Sequence, residues 1–210
     1  SLYAFLGSIL FQRYLIMKFV NPEINSSYRR KEMGRFLYDA VIDSNAKEII
    51  DIGLLNGYST VCLALAAKQT GGIVYAYDLF DDYEYNSSNY DTVMSNLKRY
   101  NVLDNVVVKN MSLDDWLDTN SSFNVLHVDV SNTGNTVLKL NQKFSKIVDS
   151  NCRVFFEGGS VERDYADWMV KYEMKKITQT GVLYRVLDSD VYWDTDAERE
   201  YRPSISELIS

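Results

Sequence analysis

From about Lys47 the chain settles into a rhythm in which short apolar runs alternate with longer stretches whose apolar residues recur every three or four positions. KEIIDIG is followed by STVCLALAAKQ, GGIVYAYD by YDTVMSNLKRYN, NVVVKN by SLDDWLD, FNVLHVDV by NTVLKLNQKFSKIV, and CRVFFEGG by VERDYADWMVKY. Strand-helix pairs in unbroken succession predict an open, mostly parallel sheet with helices on both faces, a three-layer doubly wound α/β fold. The short runs are continuously apolar and do not alternate with polar residues, as strands covered on both faces require. Further on, MKKITQT and GVLYRVLD on either side of Gly181 predict a hairpin, which would close a seven-stranded sheet with an antiparallel strand.

The pattern before Lys47 is helical. In SLYAFLGSILFQRYLIMKFV, Leu2, Phe5, Leu6 and Ile9 share one helical face. Gln12, Arg13 and Lys18 interrupt the stretch, leaving an apolar run of roughly ten residues where a membrane span needs about 20. An amphipathic helix is expected, with no membrane association. It would serve as a core contact, as a cover over a substrate pocket or as the contact of a homodimer. No basic segment precedes the apolar part and no A-x-A-like site follows it, so a signal peptide is not expected. Asn21 to Ser27 is a break rich in turn formers. Met33, Phe36, Leu37, Ala40 and Val41 then predict a second helix. The expected organisation is a single domain over 1–210, with a helical extension over 1–28, a core over 29–190 and a polar surface tail over 191–210.

Composition agrees with one domain, because 210 residues at 46% hydrophobic content supply one good core and are too few for two ordinary ones. Acidic residues exceed basic ones by 29 to 22, giving a net charge of -7, and no Lys/Arg run extends beyond Arg29-Arg30-Lys31. A surface that tracks nucleic-acid phosphates is therefore not expected. Cys62 and Cys152 lie in a helical pattern and at the mouth of an apolar run, where buried free thiols and a reducing, cytoplasmic setting are the expectation.

In open α/β sheets, ligands bind at the carboxyl ends of the strands. Those ends carry Asp51 and Gly53, Asp78, Asn110, Asp129 and Glu157. Any single acid there could be a helix cap or a turn former, but the set together suggests a site. An acid ending the second strand, as Asp78 does, can accept hydrogen bonds from both hydroxyls of a ribose laid across the first two strands. A dinucleotide would also need G-x-G-x-x-G to bring backbone amides to its pyrophosphate. The turn IIDIGLLNGYST offers Gly53 and Gly57 as G-x-x-x-G, with bulky Leu54 and Leu55 between them and an acid at Asp51 that would repel phosphate. A nucleoside without phosphate fits better, which counts against an NAD-dependent oxidoreductase.

DIGLLNGYSTVCLALA resembles the first motif of class I S-adenosyl-L-methionine-dependent methyltransferases, and its G-Y-S-T ending is similar to small-molecule O-methyltransferases of the catechol and caffeoyl-coenzyme A type. The resemblance runs from about Arg29 through the predicted hairpin. RKEMGRFLYDAV stands where that group has the helix leading into the motif, GGIVYAYD resembles its second strand, and FNVLHVDVS is similar to its fourth strand, F-D-x-x-x-x-D. The fold implied is Rossmann-like, the cofactor S-adenosyl-L-methionine, and the reaction O-methylation of a small hydroxylated molecule. N- and C-methylation remain open, as does a nucleoside-binding protein without turnover.

By the same resemblance, Gly53, Gly57 and Tyr58 would line the turn beside the methionine part of the cofactor. Asp51 would hold its ammonium, directly or through water, and Ser59 its carboxylate. Asp78 would bind the ribose, Leu79 would pack on adenine, and Asn110, Met111 and Ser112 would border the base. Asp129 would lie between the methionine end and the acceptor. The metal-dependent branch has Asp-Asn at the end of strand five, whereas this chain has FFEGGS. Glu157 could replace the acid and Gly158 cannot replace the amide. Asp129 and Glu157 with water could still hold magnesium or another divalent cation.

Three candidates remain besides these. His127, the lone histidine, reads first as a hydrogen-bonded core residue and second as a catalytic base alongside Asp129 and Glu157. Tyr83, Tyr85 and Tyr90 read equally as a lid and as a solvated loop. Glu162, Arg163 and Asp164 fall near the expected substrate mouth, where helix capping and surface ion pairs are equally good readings.

Overall fold

The computed structural model describes residues 18–30, 33–82, 88–119, 121–130, 152–156, 182–184 and 191–193. A single helical turn, α1 (Ser27–Arg30), leads to α2 (Met33–Asp43), after which strands and helices alternate: β1 (Glu48–Ile52), α3 (Tyr58–Thr70), β2 (Ile73–Asp78), α4 (Tyr90–Arg99), β3 (Val106–Asn110), α5 (Leu113–Leu117), β4 (Val125–Val128) and β5 (Arg153–Phe156). Short 3-10 turns at Phe80–Asp82 and Leu103–Asn105 precede α4 and β3.

The described sheet has five strands in the order β3-β2-β1-β4-β5, every pairing parallel. The chain begins at the centre, works outward to β3, then crosses to β4 on the other side of β1. Strand order therefore reverses between β1 and β4. In sheets of this kind, ligands bind at the carboxyl edge beside such a reversal.

Side-chain parity splits the core. Ile49, Val74, Ala76, Val125 and Phe155 face the layer of α2, α3 and α4, packing with Leu37, Val41, Val61, Leu63, Val93 and Leu97. Ile50, Ile52, Tyr77, Leu126, Val128 and Val154 form the opposite face, with Trp116 and Phe123 laid over them. β1 past its first residue and all of β4 are buried, which explains their unbroken apolar runs. β3, at the edge of the described sheet, is half-buried to exposed and tolerates Lys109. α5 opens on a capping box in which Ser112 and Asp115 satisfy each other's backbone and side chain.

The structure departs from the sequence reading at the C-terminal end and on α2. Among the described residues the parallel sheet has five strands, and a separate antiparallel pair joins β6 (Val182–Tyr184) to β7 (Val191–Trp193). Of the hairpin expected between MKKITQT and GVLYRVLD, the first arm lies outside the described residues, and β6, in the second, pairs with VYW. VYW, assigned to the surface tail, is a β-branched and aromatic triplet that forms β7. Phe36 is 40% exposed although Met33, Leu37, Ala40 and Val41 are buried, because it sits at the border of the helical stripe. Cys62 and Cys152 are buried free thiols, as expected. No helix among the described residues is long and apolar enough to cross a membrane, and the opening helix lies outside them.

Candidate active site

The turn after β1 is built by close approach. Gly53 has φ +88°, and a β-carbon there would stand 1.8 Å from the carbonyl oxygen of Asp129, so the loops leaving β1 and β4 touch where only glycine fits. The Gly53 amide donates to the carbonyl of Tyr77 at 2.9 Å, and the Asp129 amide to that of Ile52 at 2.8 Å. Leu54 turns inward and is buried in the helix-side core, while Leu55, at φ +50°, points outward and is 41% exposed. The two bulky residues therefore face away from each other.

Polar side chains clamp this turn. Ser88 donates its hydroxyl to the carbonyl of Leu55 at 3.0 Å, Asn96 its amide to the carbonyl of Asn56 at 2.9 Å, and Asn56 its own amide to the carbonyl of Asn25 at 3.0 Å. Gly57, at φ +81°, donates to the carbonyl of Leu54 at 2.7 Å and starts α3.

Asp78, half-buried at the end of β2, is fixed by two backbone amides: Leu54 donates to Oδ2 at 2.7 Å and Phe80 to Oδ1 at 2.8 Å. A carboxylate accepts about four hydrogen bonds, so both oxygens keep lone pairs for a ligand. Phe80 holds φ +47°. Among the described residues, it and Leu55 are the only ones with left-handed backbone that are neither Gly nor Asn. Such residues cost about 1–3 kcal/mol each and gather where function requires them; Phe80 donates its amide to Asp78, and Leu55 directly follows Leu54, which does the same. Leu79 is half-buried beside it, and the Phe80 ring meets Tyr90 edge-on at 5.3 Å.

At the end of β3, the Asn110 side chain donates to the Asp82 carboxylate. Met111 donates its amide to the carbonyl of Asp78 at 3.1 Å and packs against the far-side core. The Ser112 hydroxyl accepts from the Asp115 amide at 3.0 Å as the cap of α5. Two of the three residues expected at the adenine thus have protein partners already, and Met111 is the apolar one.

Beneath the turn lies a buried polar chain. Asp51 has no exposed surface. Its Oδ2 accepts the hydroxyls of Ser59 at 3.0 Å and Thr60 at 2.7 Å, and its Oδ1 lies 2.7 Å from His127 Nδ1. Register explains the pairing, since Asp51 and His127 are lateral neighbours on β1 and β4 and point to the same face. An ionised Asp51 can only accept, which puts a proton on Nδ1. Nε2 lies 3.1 Å from the hydroxyl of Tyr28, with the proton on either atom. Tyr58 is buried at the start of α3 and donates its hydroxyl to Asn21 at 2.6 Å, and burial pushes its phenol well above the ordinary range.

Among the expected site residues, the structure brings Gly53, Asp78 and Asp129 to the carboxyl edge of the sheet, at the ends of β1, β2 and β4, with Asp129 half-buried. It places Asp51 and His127 behind them. Glu157, Tyr83, Tyr85, Glu162, Arg163 and Asp164 lie outside the described residues, within which no three His, Cys, Asp or Glu side chains are grouped to hold a metal. Tyr28, Thr60 and Ser88 were not anticipated. Thr60 was legible as the neighbour of Ser59 in the first turn of a helix, whereas Tyr28 meets a partner 99 positions away and no local pattern signals it.

Residues 50–157 match the methyltransferase domain family. Solved structures of similar fold include cofactor-bound Rv0187 from MTB, at 21% identity over 72% of this chain and 64% of that one with a TM-score of 0.51. An O-methyltransferase from Bacillus cereus in complex with SAH matches at 21% identity over 79% of this chain and 72% of that one, TM-score 0.51. TomG, an O-methyltransferase from Streptomyces achromogenes involved in tomaymycin synthesis and solved with SAM, matches at 17% identity over 71% and 70%, TM-score 0.51. At these identities the likeness is one of fold, and the chain spans 64% of the length of the first of these proteins. No curated protein sequence matches it.

Proposed function

The chain belongs to the methyltransferase domain family, and we propose that it uses S-adenosyl-L-methionine to methylate a hydroxyl of a small molecule. The observation that carries this reading is the Asp78 carboxylate, aimed by the Leu54 and Phe80 amides beside the glycine turn, with lone pairs left for a pair of vicinal hydroxyls. The site fits the cofactor in a second respect: Leu54 turns into the core and Leu55 turns outward, so the bulk in the motif does not fill the turn. The bound S-adenosyl-L-methionine of TomG and the SAH of the Bacillus cereus enzyme support the same choice.

When bound, the cofactor supplies an electrophilic methyl group on a sulfonium. The chain's own task is to align the acceptor oxygen with that methyl, keep water out and take the hydroxyl proton. Gly53, Gly57 and Tyr58 shape the turn, and Leu79 and Met111 supply apolar surface toward the base. Asp129, just past the end of β4, is the proton acceptor of choice. His127 is buried with both ring nitrogens bonded, so its role is to support the site from behind.

Asp129 with Glu157 is also the pair proposed for magnesium or another divalent cation, an all-oxygen donor set suited to a hard ion. Loss of turnover in chelator, regained on adding magnesium, separates this role from direct proton transfer to Asp129. The reading is tested by following SAH release from S-adenosyl-L-methionine with a panel of small phenols and alcohols. Transfer to at least one hydroxyl acceptor is expected, and cofactor binding with no transfer to any would leave a nucleoside-binding protein.

A further inference from the structure

Asn56 and Gly57 are the one Asn-Gly pair in the chain. Glycine has no side chain to shield its amide, so in such a pair the glycine nitrogen can reach the carboxamide carbon of the asparagine. In the folded turn both groups are engaged. Asn56 is half-buried and donates Nδ2 to the carbonyl of Asn25 at 3.0 Å, and its own carbonyl accepts from Asn96 at 2.9 Å. The buried Gly57 amide donates to the carbonyl of Leu54 at 2.7 Å. Two of these three bonds run through side chains, and Leu55, one residue earlier, is exposed at a left-handed φ of +50°. Strain and partly exposed polar ties put a turn among the segments that open locally.

The bond to Asn25 also holds the N-terminal segment. Residues 18–26 lie over the helix layer: Phe19 meets the Tyr38 ring at 5.2 Å, Asn21 accepts the Tyr58 hydroxyl at 2.6 Å, the Glu23 amide donates to the Tyr100 hydroxyl at 2.5 Å, and Ile24 is buried. Among the described residues, no backbone-to-backbone hydrogen bond joins this segment to the sheet or to α2 through α5. It is held by side chains, and Asn56 is its tie to the turn.

We propose that Asn56 is a deamidation site, and that its conversion unties residues 18–26 from the turn after β1. When the turn opens, the Gly57 nitrogen attacks Cγ of Asn56. The new C–N bond closes a succinimide, the Cγ–Nδ2 bond breaks, and Nδ2 leaves as ammonia with the proton lost by Gly57. Water then opens the ring at either carbonyl, giving aspartate or isoaspartate with no change of oxidation state. Either product is a carboxylate, which only accepts hydrogen bonds, so the donor to the Asn25 carbonyl is lost and oxygen faces oxygen. The step needs only water and does not depend on the methyltransferase reading.

The test is peptide mapping by mass spectrometry of the folded full chain after incubation in mildly alkaline and mildly acid buffer, followed by amide hydrogen exchange over residues 18–26. Deamidation at Asn56 is expected in the folded protein, severalfold faster in the alkaline buffer, where the attacking amide loses its proton more readily. Asn96→Ala, which removes one tie of the turn, is expected to convert severalfold faster than the wild type. Converted molecules, and Asn56→Asp as the aspartate product made directly, are expected to exchange the amides of 18–26 faster than unconverted protein. Absence of any product at Asn56 in the folded wild type, which needs no variant, overturns the proposal. So does a conversion that leaves the exchange of 18–26 unchanged, or an Asn96→Ala variant that converts at the wild-type rate.

Discussion

The amide of Leu54 donates to Oδ2 of Asp78 at 2.7 Å while its side chain is buried in the core, so one residue both anchors the turn after β1 and aims the acid that ends β2. The bulk in the middle of the glycine motif is therefore structural. The backbone of Leu54 serves the site and its side chain serves the fold.

Leu54 and Leu55 are accordingly expected to respond very differently to truncation. Leu54→Ala removes a buried side chain and should cost about 2–4 kcal/mol, whereas Leu55→Ala, at an exposed position, should stay within about 1 kcal/mol. Urea denaturation midpoints of the two variants check this, and equal losses would refute the facing of the turn.

Gly53→Ala forces a β-carbon against the Asp129 carbonyl at a φ of +88°. A loss of at least about 2 kcal/mol in stability is expected, together with weakened cofactor binding, because the loops after β1 and β4 must part. Thermal unfolding with and without S-adenosylhomocysteine reads both effects.

His127 and Asp129 are two residues apart and are expected to separate stability from catalysis. His127→Leu leaves the buried Asp51 side chain short of a partner and should cost about 3 kcal/mol or more in stability. Asp129→Asn should unfold near the wild-type midpoint yet lower turnover by about a hundredfold, the usual worth of a positioned proton acceptor. Denaturation and turnover measured on the same preparations decide the assignment, and a fully active Asp129→Asn would remove Asp129 from the chemistry.

Alkaline pH should destabilise the fold. Burial pushes the Cys62 thiol above its ordinary value of 9.0, and the Tyr58, Tyr38 and Tyr77 phenols above 10.0. Groups raised in the folded state contribute stability that is intact below their unfolded values and is lost as pH climbs past them, because the unfolded chain releases protons that the folded chain retains. The urea midpoint is expected to hold through pH 8 and to fall progressively above pH 9 to 10. A midpoint that rose across that range would contradict the burial of these groups.

How much of this was legible in the sequence depended on how local each cause was. The parallel strands were, because burial on both faces leaves its mark in each run separately: IIDI and VLHV need no distant partner to be recognised. The acid at Asp78 and the glycines of the turn were legible for the same reason. The pairing of β6 with β7 was not legible, because a three-residue strand carries almost no pattern and VYW sits among acidic residues that read as tail. The partners of Asp51 were not legible for a deeper reason. Its partners include His127, brought alongside by strand register, and through that ring Tyr28, and contacts 76 and 99 positions apart leave no trace in local periodicity.

The central claim is that Asp78, aimed by the Leu54 and Phe80 amides, holds the ribose of S-adenosyl-L-methionine. Titration calorimetry of the wild type and of Asp78→Ala with S-adenosyl-L-methionine tests it most directly, with folding of each verified by circular dichroism. Saturable one-to-one binding by the wild type is predicted, weakened about thirtyfold or more in Asp78→Ala by the loss of two hydrogen bonds to a charged group. A folded wild type that does not bind the cofactor, or an Asp78→Ala variant that binds it equally well, would contradict the account.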